Sequence, residues 1–270
     1  MDGMSQALED RHIPDVVRPA QGGPTVRVEP YRRRIRGRIG TETIVDSRDP
    51  LLLLEEGHLP VYYLPVEDVR ADLLEPSDRR TTCPRKGEAT YQTIRVGDRV
   101  VPDAVWCYQQ PIEGCPDISG HVAFYWSALD SWWEEDDQVF VHARDPYKRV
   151  DVLRSSRHVR VELDGELLAE SHRPLLLFET GLPTRYYLPR ADVRLELMEA
   201  SRTRTSCPYK GTASYLSARV GGELRADLAW SYEQPIPECS KIEQAVCFFN
   251  ERVDLTVDGE RQERPVTAWS

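Results

Sequence analysis

The feature that most constrains the fold is an internal duplication. When the sequence is laid on itself with a shift of 124 residues, about 38 of the 83 positions from 44 to 126 are identical, without a gap. A period of this length is that of a whole domain, because solenoid units run about 20 to 50 residues. The 270-residue chain is therefore predicted to hold a flexible leader (1–23), a first domain (24–145) and a second domain (146–270).

The two halves act as controls for each other, since a residue present in only one half is not essential to a chemistry that both perform. None of the six histidines has a histidine as its counterpart, which argues against a histidine-activated hydrolase or a histidine-ligated metal as the common function. Two cysteine pairs are shared, Cys83 with Cys207 and Cys115 with Cys239. Two thiols per half fall short of the four ligands of a closed zinc site, so we expect no metal and no cofactor.

Short alternating segments bounded by turn residues indicate an all-β fold of two tandem antiparallel domains with little helix. Asp164-Gly165 follows the alternating segment 159–163 and is typical of a type I′ hairpin. Alternation at 69–74 and 193–197 predicts further strands. The segment 129–133 has helical spacing, but its counterpart at 253–257 alternates like a strand, so we predict a strand there.

Charge and hydropathy limit the partners. A net charge of −10 disfavours nucleic acid, because neutralising phosphates requires a surplus of basic residues on one face. The basic segment 32–38 is interpreted as an edge strand with arginines on its solvent face. No apolar run approaches the roughly 20 residues of a membrane span, and the leader has no apolar block typical of a secretory signal. We therefore expect a cytoplasmic protein with reduced thiols that does not bind membranes.

The densest cluster of shared chemistry is Thr-Thr-Cys-Pro-Arg-Lys-Gly at 81–87, matched by Thr-Ser-Cys-Pro-Tyr-Lys-Gly at 205–211. It is predicted to form a loop before a strand, where glycine permits close approach of a ligand. An ammonium beside a thiol favours the nucleophilic thiolate, so Cys83 and Cys207 are candidate catalytic residues. The lysine is equally suited to hold a small anion, and one lysine per domain is expected to be free for that purpose.

Shared aromatic residues form a second cluster, which is predicted to be a stacking wall for a planar ligand. Asp103 and Asp227 are shared acids and are candidate general bases or turn formers. The predicted ligand-binding residues, five in each half, are Lys86, Gly87, Tyr91, Trp106 and Tyr108, with Lys210, Gly211, Tyr215, Trp230 and Tyr232.

These motifs resemble the domain-of-unknown-function family 427, also labelled nucleotidyltransferase-like. The resemblance rests on Tyr-Tyr-Leu-Pro followed by Asp-Val, on Thr-x-Cys-Pro-x-Lys-Gly, and on Ala-x-Trp-x-Tyr and Ala-Trp-x-Tyr in the first and second halves, respectively. It implies a bacterial protein and a compact barrel or β-tent-like domain, but no established activity. In the second half Gln244 stands where the family pattern has Gly, and the strand after it reads Val-Cys-Phe-Phe.

Three functions remain open at this point. The first is a binding module with one pocket per domain for a small planar or anionic molecule. The second is an enzyme, either a group transferase as the family label suggests or a thiol-dependent catalyst. The third is a structural or interaction protein, in which the shared residues only specify the fold. A buried lysine beside a concavity favours the first two over the third, and the oligomeric state is left open.

Overall fold

The computed structural model describes residues 26–270, so the predicted leader, 1–23, lies outside the described residues. Nearly all regular structure is antiparallel β. No helix within 26–270 is long and apolar enough to cross a membrane.

The first repeat contains two sheets. A seven-stranded sheet has the order β1-β4-β5-β9-β8-β7-β6, and a four-stranded sheet has the order β11-β10-β2-β3. The strands are β1 (Val26–Pro30), β2 (Ile35–Ile39), β3 (Glu42–Ser47), β4 (Leu51–Glu55), β5 (Val61–Pro65), β6 (Leu74–Cys83), β7 (Gly87–Val96), β8 (Arg99–Cys107), β9 (His121–Phe124), β10 (Ser131–Glu134) and β11 (Asp137–Val139).

The second repeat has the same architecture, which confirms the duplication. Its sheets have the orders β12-β15-β16-β20-β19-β18-β17 and β14-β13-β21-β22. The strands are β12 (Val150–Arg154), β13 (Val159–Leu163), β14 (Glu166–Ser171), β15 (Leu175–Glu179), β16 (Arg185–Leu188), β17 (Met198–Cys207), β18 (Gly211–Val220), β19 (Glu223–Pro235), β20 (Val246–Phe248), β21 (Asp254–Val257) and β22 (Glu260–Arg261).

The sheets are open in both repeats. Within 26–270 the outermost strands of each seven-stranded sheet, β1 with β6 and β12 with β17, do not pair with each other. The all-β, tandem antiparallel prediction is therefore confirmed, whereas the compact barrel or β-tent-like arrangement is not.

Each seven-stranded sheet is buried on both faces. Tyr62 and Leu64 of β5 pack into a core between the two sheets, whereas the intervening Tyr63 packs into a second core on the opposite face. The connection from β8 to β9 covers that opposite face with Ile118, and Ile242 does so in the second repeat. Burial on both faces explains why β4 and β5 read as continuous apolar runs.

The only helices among the described residues are short 3₁₀ turns, and two pairs of them replace predicted strands. The alternating segments at 69–74 and 193–197 contain turns at Ala71–Leu73 and Leu195–Leu197, which follow turns at Val66–Asp68 and Arg190–Asp192. Val69 is nevertheless buried, because it forms an isolated bridge with Val45 of β3. Other 3₁₀ turns span Trp126–Ala128 and Pro237–Ile242.

Two further sequence-based predictions have different outcomes. The strand expected at 129–133 is β10, and Asp164-Gly165 forms the expected hairpin turn with φ of 51° and 81°. The basic segment is not an edge strand, because β2 lies between β10 and β3. Its arginines bind acids on neighbouring strands and turns: Arg34 contacts Asp46 at 2.5 Å, and Arg36 contacts Asp136 at 2.7 Å.

Candidate functional site

The shared Cys-Pro-x-Lys-Gly element is a hairpin turn between two long strands. The residues predicted as a loop start inside β6, which runs to Cys83, and β7 begins at Gly87. The backbone N–H of Lys86 donates to the Cys83 carbonyl at 3.3 Å, and Lys210 repeats this bond with Cys207. The turn therefore places the cysteine and the lysine at the same end of the hairpin.

Glycine is required at the end of this turn in both repeats. Gly87 and Gly211 each have φ of 101°, a backbone conformation that residues with a Cβ atom rarely adopt. A Cβ atom on Gly211 would lie 3.2 Å from the backbone oxygen of Gln234. The glycine of the second repeat therefore allows the turn to pack against the end of β19.

The lysine of the turn is not free, because in both repeats it is paired with a glutamate. Lys86 Nζ lies 2.5 Å from Glu55 Oε2, and Lys210 Nζ hydrogen-bonds Glu179. Both members of each pair are largely buried. Glu55 and Glu179 align in the 124-residue shift, so the duplication carried a signal for them that the search for shared acids overlooked.

A second cation completes each ion-pair cluster. Arg85 Nη1 lies 2.6 Å from Glu55 Oε1, and Lys148 Nζ lies 3.5 Å from Glu179 Oε1. Burial tends to raise the pKa of Glu55, but hydrogen bonds from Lys86 and Arg85 outweigh it and hold that pKa below its usual value. The carboxylate is therefore charged at neutral pH.

Lys210 is charged for the corresponding reason. Burial tends to lower its pKa, but the neighbouring Cys207 and Glu179 outweigh burial, so the pKa of Lys210 lies above its usual value. The second repeat thus keeps a buried cation beside a thiol and a carboxylate.

The predicted aromatic residues surround this cluster. Tyr91 and Tyr108 are buried in the same core as Tyr63, and Trp106 Nε1 donates to Tyr63 Oη at 3.2 Å. The copies repeat these contacts: Trp230 Nε1 donates to Tyr187 Oη at 3.0 Å. The hydroxyls of Tyr91 and Tyr215 are also bonded within the protein, to Thr81 and Thr205.

A cavity of about 330 Å³ opens beside Lys210 in the second repeat. Four of the five residues predicted for this repeat line it, and Gly211 does not. The cavity is also lined by Cys207, by Glu179 and by the side chains at 205 and 206. The predicted residues at its wall are Lys210, Tyr215, Trp230 and Tyr232.

Residues that the duplication test had set aside complete the cavity wall. Arg185 faces Val61 in the other half, and Trp269 lies beyond the aligned region. Arg185 makes a buried, two-pronged ion pair with Glu251 at 2.7 and 2.8 Å, and its guanidinium lies 5.5 Å from the ring centroids of both Trp230 and Trp269. No sequence signal pointed to these residues, because a test for shared residues removes them.

The connection between the repeats also reaches this cavity. Val141 and His142 line it, although both follow the last strand of the first repeat. Val141 has φ of 72°, a strained conformation for a β-branched residue.

The first repeat differs at the equivalent place. The Arg79 guanidinium lies 4.4 Å from the Tyr91 ring centroid, whereas the counterpart of Arg79 is Thr203. Arg79 therefore covers a ring whose counterpart, Tyr215, lines the cavity of the second repeat.

The four predicted catalytic candidates separate into two groups. Cys83 and Cys207 are partly exposed free thiols beside the lysines, and Cys207 lines the cavity. Asp103 and Asp227 lie in strand bulges with positive φ and accept hydrogen bonds from Ser77 and Thr203, respectively. Neither aspartate is among the residues that line the cavity, which favours their interpretation as turn formers.

The other shared thiols, those of Cys115 and Cys239, are less reactive because burial raises their pKa values. Cys239 donates to the Tyr209 carbonyl at 3.3 Å, and burial raises its pKa to about 11. Within 26–270, no group of three or more histidine, cysteine, aspartate or glutamate side chains is placed to hold a metal ion.

Comparison with known proteins identifies the family of the chain. No curated protein matches the chain. A family model described as "Domain of unknown function (DUF427)", with the label NTP_transf_9, matches residues 27–135 and again 151–259. Because the two matches together span most of the chain, the protein belongs to the DUF427 family and carries two tandem copies of its domain.

Proposed function

We propose that this protein binds a small planar molecule with an acidic or carbonyl edge in the cavity of the second repeat. The observation that carries the proposal is the buried Lys210–Glu179 pair at the wall of an aromatic cavity of about 330 Å³. Taking two charges out of water costs several kcal/mol per ion before their attraction offsets it. A structural role alone does not require such a pair beside open space.

The lining of the cavity supports this class of ligand. Tyr215 and Tyr232 offer ring surfaces on which a planar molecule stacks, whereas Arg185 lies over Trp230 and Trp269 and Arg252 lies over Phe249. Lys210, Thr205 and Ser206 offer polar groups in the same cavity. Apolar walls with a few polar groups that fix orientation are the usual composition of small-molecule sites.

Local charge favours an acidic or carbonyl edge. Two cations, Lys148 and Lys210, lie beside the single carboxylate of Glu179, and Arg185 is neutralised by Glu251. The surplus cation attracts an anionic group without requiring that the buried pair break. The first repeat has the same lysine and glutamate, but Arg79 over Tyr91 favours the second repeat as the binding site.

Thermal shift measurements with benzoate, benzamide and indole-3-carboxylate as probes test the proposal. A ligand that binds only the folded state raises Tm, so at least one probe should raise the Tm of the full chain at millimolar concentration. Lys210→Met should abolish that shift. The control is Lys241→Met, because Lys241 Nζ donates to the Val152 carbonyl and does not line the cavity.

Two results would contradict the proposal. One is that none of the three probes raises Tm, and the other is that Lys210→Met keeps the full shift.

Thiol-dependent chemistry is a second candidate function, favoured by the presence of Cys207 in the same cavity as Lys210. Mass spectrometry after brief treatment with iodoacetamide at neutral pH tests it. Rapid modification of Cys207 that Lys210→Met slows supports an activated thiolate, and resistance of Cys207 in the folded protein excludes one.

The cellular setting that we infer follows the same observations. Six free cysteines suit a reducing compartment such as the cytoplasm. The net charge of −10, together with the pairing of Arg34 and Arg36 of the basic segment with acids, supports a small-molecule partner rather than nucleic acid.

A further inference from the structure

A second cavity, of about 160 Å³, lies in the first repeat and is distinct from the site beside Lys210. Within 26–270 no lysine, arginine, aspartate or glutamate lines it. Val61 and the Val141–Ala143 segment form part of its wall. The rest is mainly aromatic: Tyr62, Trp106, Phe124, Tyr125, Trp126 and Trp132.

The rings pack against one another around this space. The Trp126 and Trp132 centroids are 5.1 Å apart, and the Tyr62 centroid lies 6.2 and 6.0 Å from them. On the other side Trp106 and Tyr125 are 4.8 Å apart. A cavity lined in this way presents aromatic ring surfaces to a ligand.

The polar edges of Tyr62, Trp106 and Trp132 are already bonded within the protein. Tyr62 Oη donates to the buried Glu134 carboxylate at 2.5 Å, which Arg33 also contacts. Trp132 Nε1 donates to the Trp126 carbonyl at 3.1 Å. A ligand that needs hydrogen-bond partners finds few here, whereas a cation without N–H groups needs only ring faces.

The second repeat provides a natural comparison. Arg185, the counterpart of Val61, places its guanidinium 5.5 Å from the ring centroid of Trp230, the counterpart of Trp106. The second repeat therefore supplies its own cation to this tryptophan, whereas the first has valine and an open cavity.

The other walls differ consistently. Asn250 occupies the position of Trp126 in the second repeat. Leu255 of β21 occupies that of Trp132, because Leu255 pairs with Val161 of β13 as Trp132 pairs with Gly37 of β2. The first repeat thus adds two aromatic rings where the internal cation is missing.

We infer that the cavity of the first repeat binds the quaternary ammonium head of a small molecule. Recognition of such heads by several aromatic faces is a recurrent use of cation–π attraction. The volume is sufficient, because an apolar cavity of about 150 Å³ accepts benzene, which is similar in size to a trimethylammonium group.

Isothermal titration of the full chain with two matched probes tests this inference. Choline and 3,3-dimethyl-1-butanol have nearly the same shape, but the central nitrogen of choline carries the charge. Choline should bind about tenfold more tightly or better, because only the cation gains from the ring faces. Equal affinities for the two probes would show an apolar pocket without charge selectivity. Absence of choline binding would show that the proposed site does not exist. Either result overturns the inference.

Variants taken from the second repeat locate the site. Val61→Arg introduces the residue found at 185 and should weaken choline binding at least tenfold, because the tethered cation competes for the rings. Trp126→Asn introduces the residue found at 250 and should have a similar effect.

The control is Trp133→Phe, since Trp133 neighbours Trp132 on β10 but does not line the cavity; it should bind choline like the wild type. If Trp126→Asn fails to fold, Val61→Arg decides, because Val61 is only partly buried. Unchanged choline affinity in a folded Val61→Arg variant would refute the location.

Discussion

Replacing Glu251 by serine removes the carboxylate that holds the buried guanidinium of Arg185. The arginine side chain is 8% exposed and the glutamate side chain 0%, so the variant leaves a cation without a partner in the core. Breaking a buried ion pair from one side costs about 3–5 kcal/mol. We expect Glu251→Ser to lower the free energy of unfolding by about 4 kcal/mol, and Arg185→Val to lower it by about 3 kcal/mol.

The double variant should be far less damaging than the sum of the two. Val61 and Ser127 occupy these positions in the first repeat, so the fold accepts the pair without charges. Replacing both members of a buried ion pair is often close to neutral, but the arginine stem also packs near two tryptophans. We expect a loss of about 2 kcal/mol for the double variant and therefore an interaction energy of about 5 kcal/mol in magnitude.

Urea unfolding of the four proteins, monitored by tryptophan fluorescence, measures this cycle. Losses that add within about 0.5 kcal/mol would refute the reasoning, because they would mean that neither charge depends on the other.

The pH dependence gives a second readout of the same pair. Burial tends to raise the pKa of Glu251, but hydrogen bonds from Arg185 and Thr267 outweigh it, so that pKa lies below its usual value. A lowered pKa gives stability that is present above the unfolded value and is lost as pH falls through the folded value. Glu251→Ser should therefore reduce the acid sensitivity of the second repeat, and an unchanged acid profile would contradict this.

Three further predictions concern the cavity and its supports. Gly211→Ala should lower the free energy of unfolding in urea by about 3 kcal/mol, because positive φ and a backbone oxygen at 3.2 Å both oppose a Cβ. Gly57 has positive φ in open space, so Gly57→Ala should cost only about 1 kcal/mol. Equal losses would contradict the steric argument. The pKa of Lys210 is raised in the fold, so the stability that Lys210 contributes is present below the usual lysine pKa and is lost as pH rises through the raised value. Lys210→Met should therefore weaken the fall of Tm in alkali. An alkaline Tm profile identical to that of the wild type would refute this. Burial raises the pKa values of Cys239 and Cys247 to about 11 and about 12. Both thiols should therefore resist iodoacetamide at pH 7.5 and react only in urea, as measured by mass spectrometry. Rapid reaction in the native protein would contradict their burial.

The duplication made most of the fold predictable, because each repeat corrected the reading of the other. It selected a strand for 129–133, where helical spacing alone was misleading. It did not reveal β6, whose sequence from Leu74 to Cys83 is largely polar. That strand lies at the edge of its sheet and is exposed along most of its length, so no apolar alternation marks it.

The candidate site was predictable only where both repeats share it. The lysine and the aromatic residues came from shared motifs, whereas Glu55 was hidden at the end of an apolar run and its pairing with Lys86 is a long-range contact. Arg185 and Trp269 were lost because a test for shared residues discards what distinguishes the two halves. Both residues line the cavity beside Lys210.

Val141 and His142 line the cavities of both repeats, so the two sites have one wall in common. If filling either cavity displaces that wall, the two occupancies are thermodynamically linked. Linkage is reciprocal: the factor by which a ligand in the second repeat changes the ligand affinity of the first repeat must equal the factor by which a ligand in the first repeat changes that of the second. Titrations of one cavity with the other empty and then saturated would measure that coupling factor directly, and the strained backbone of Val141 is the place where a substitution should alter it.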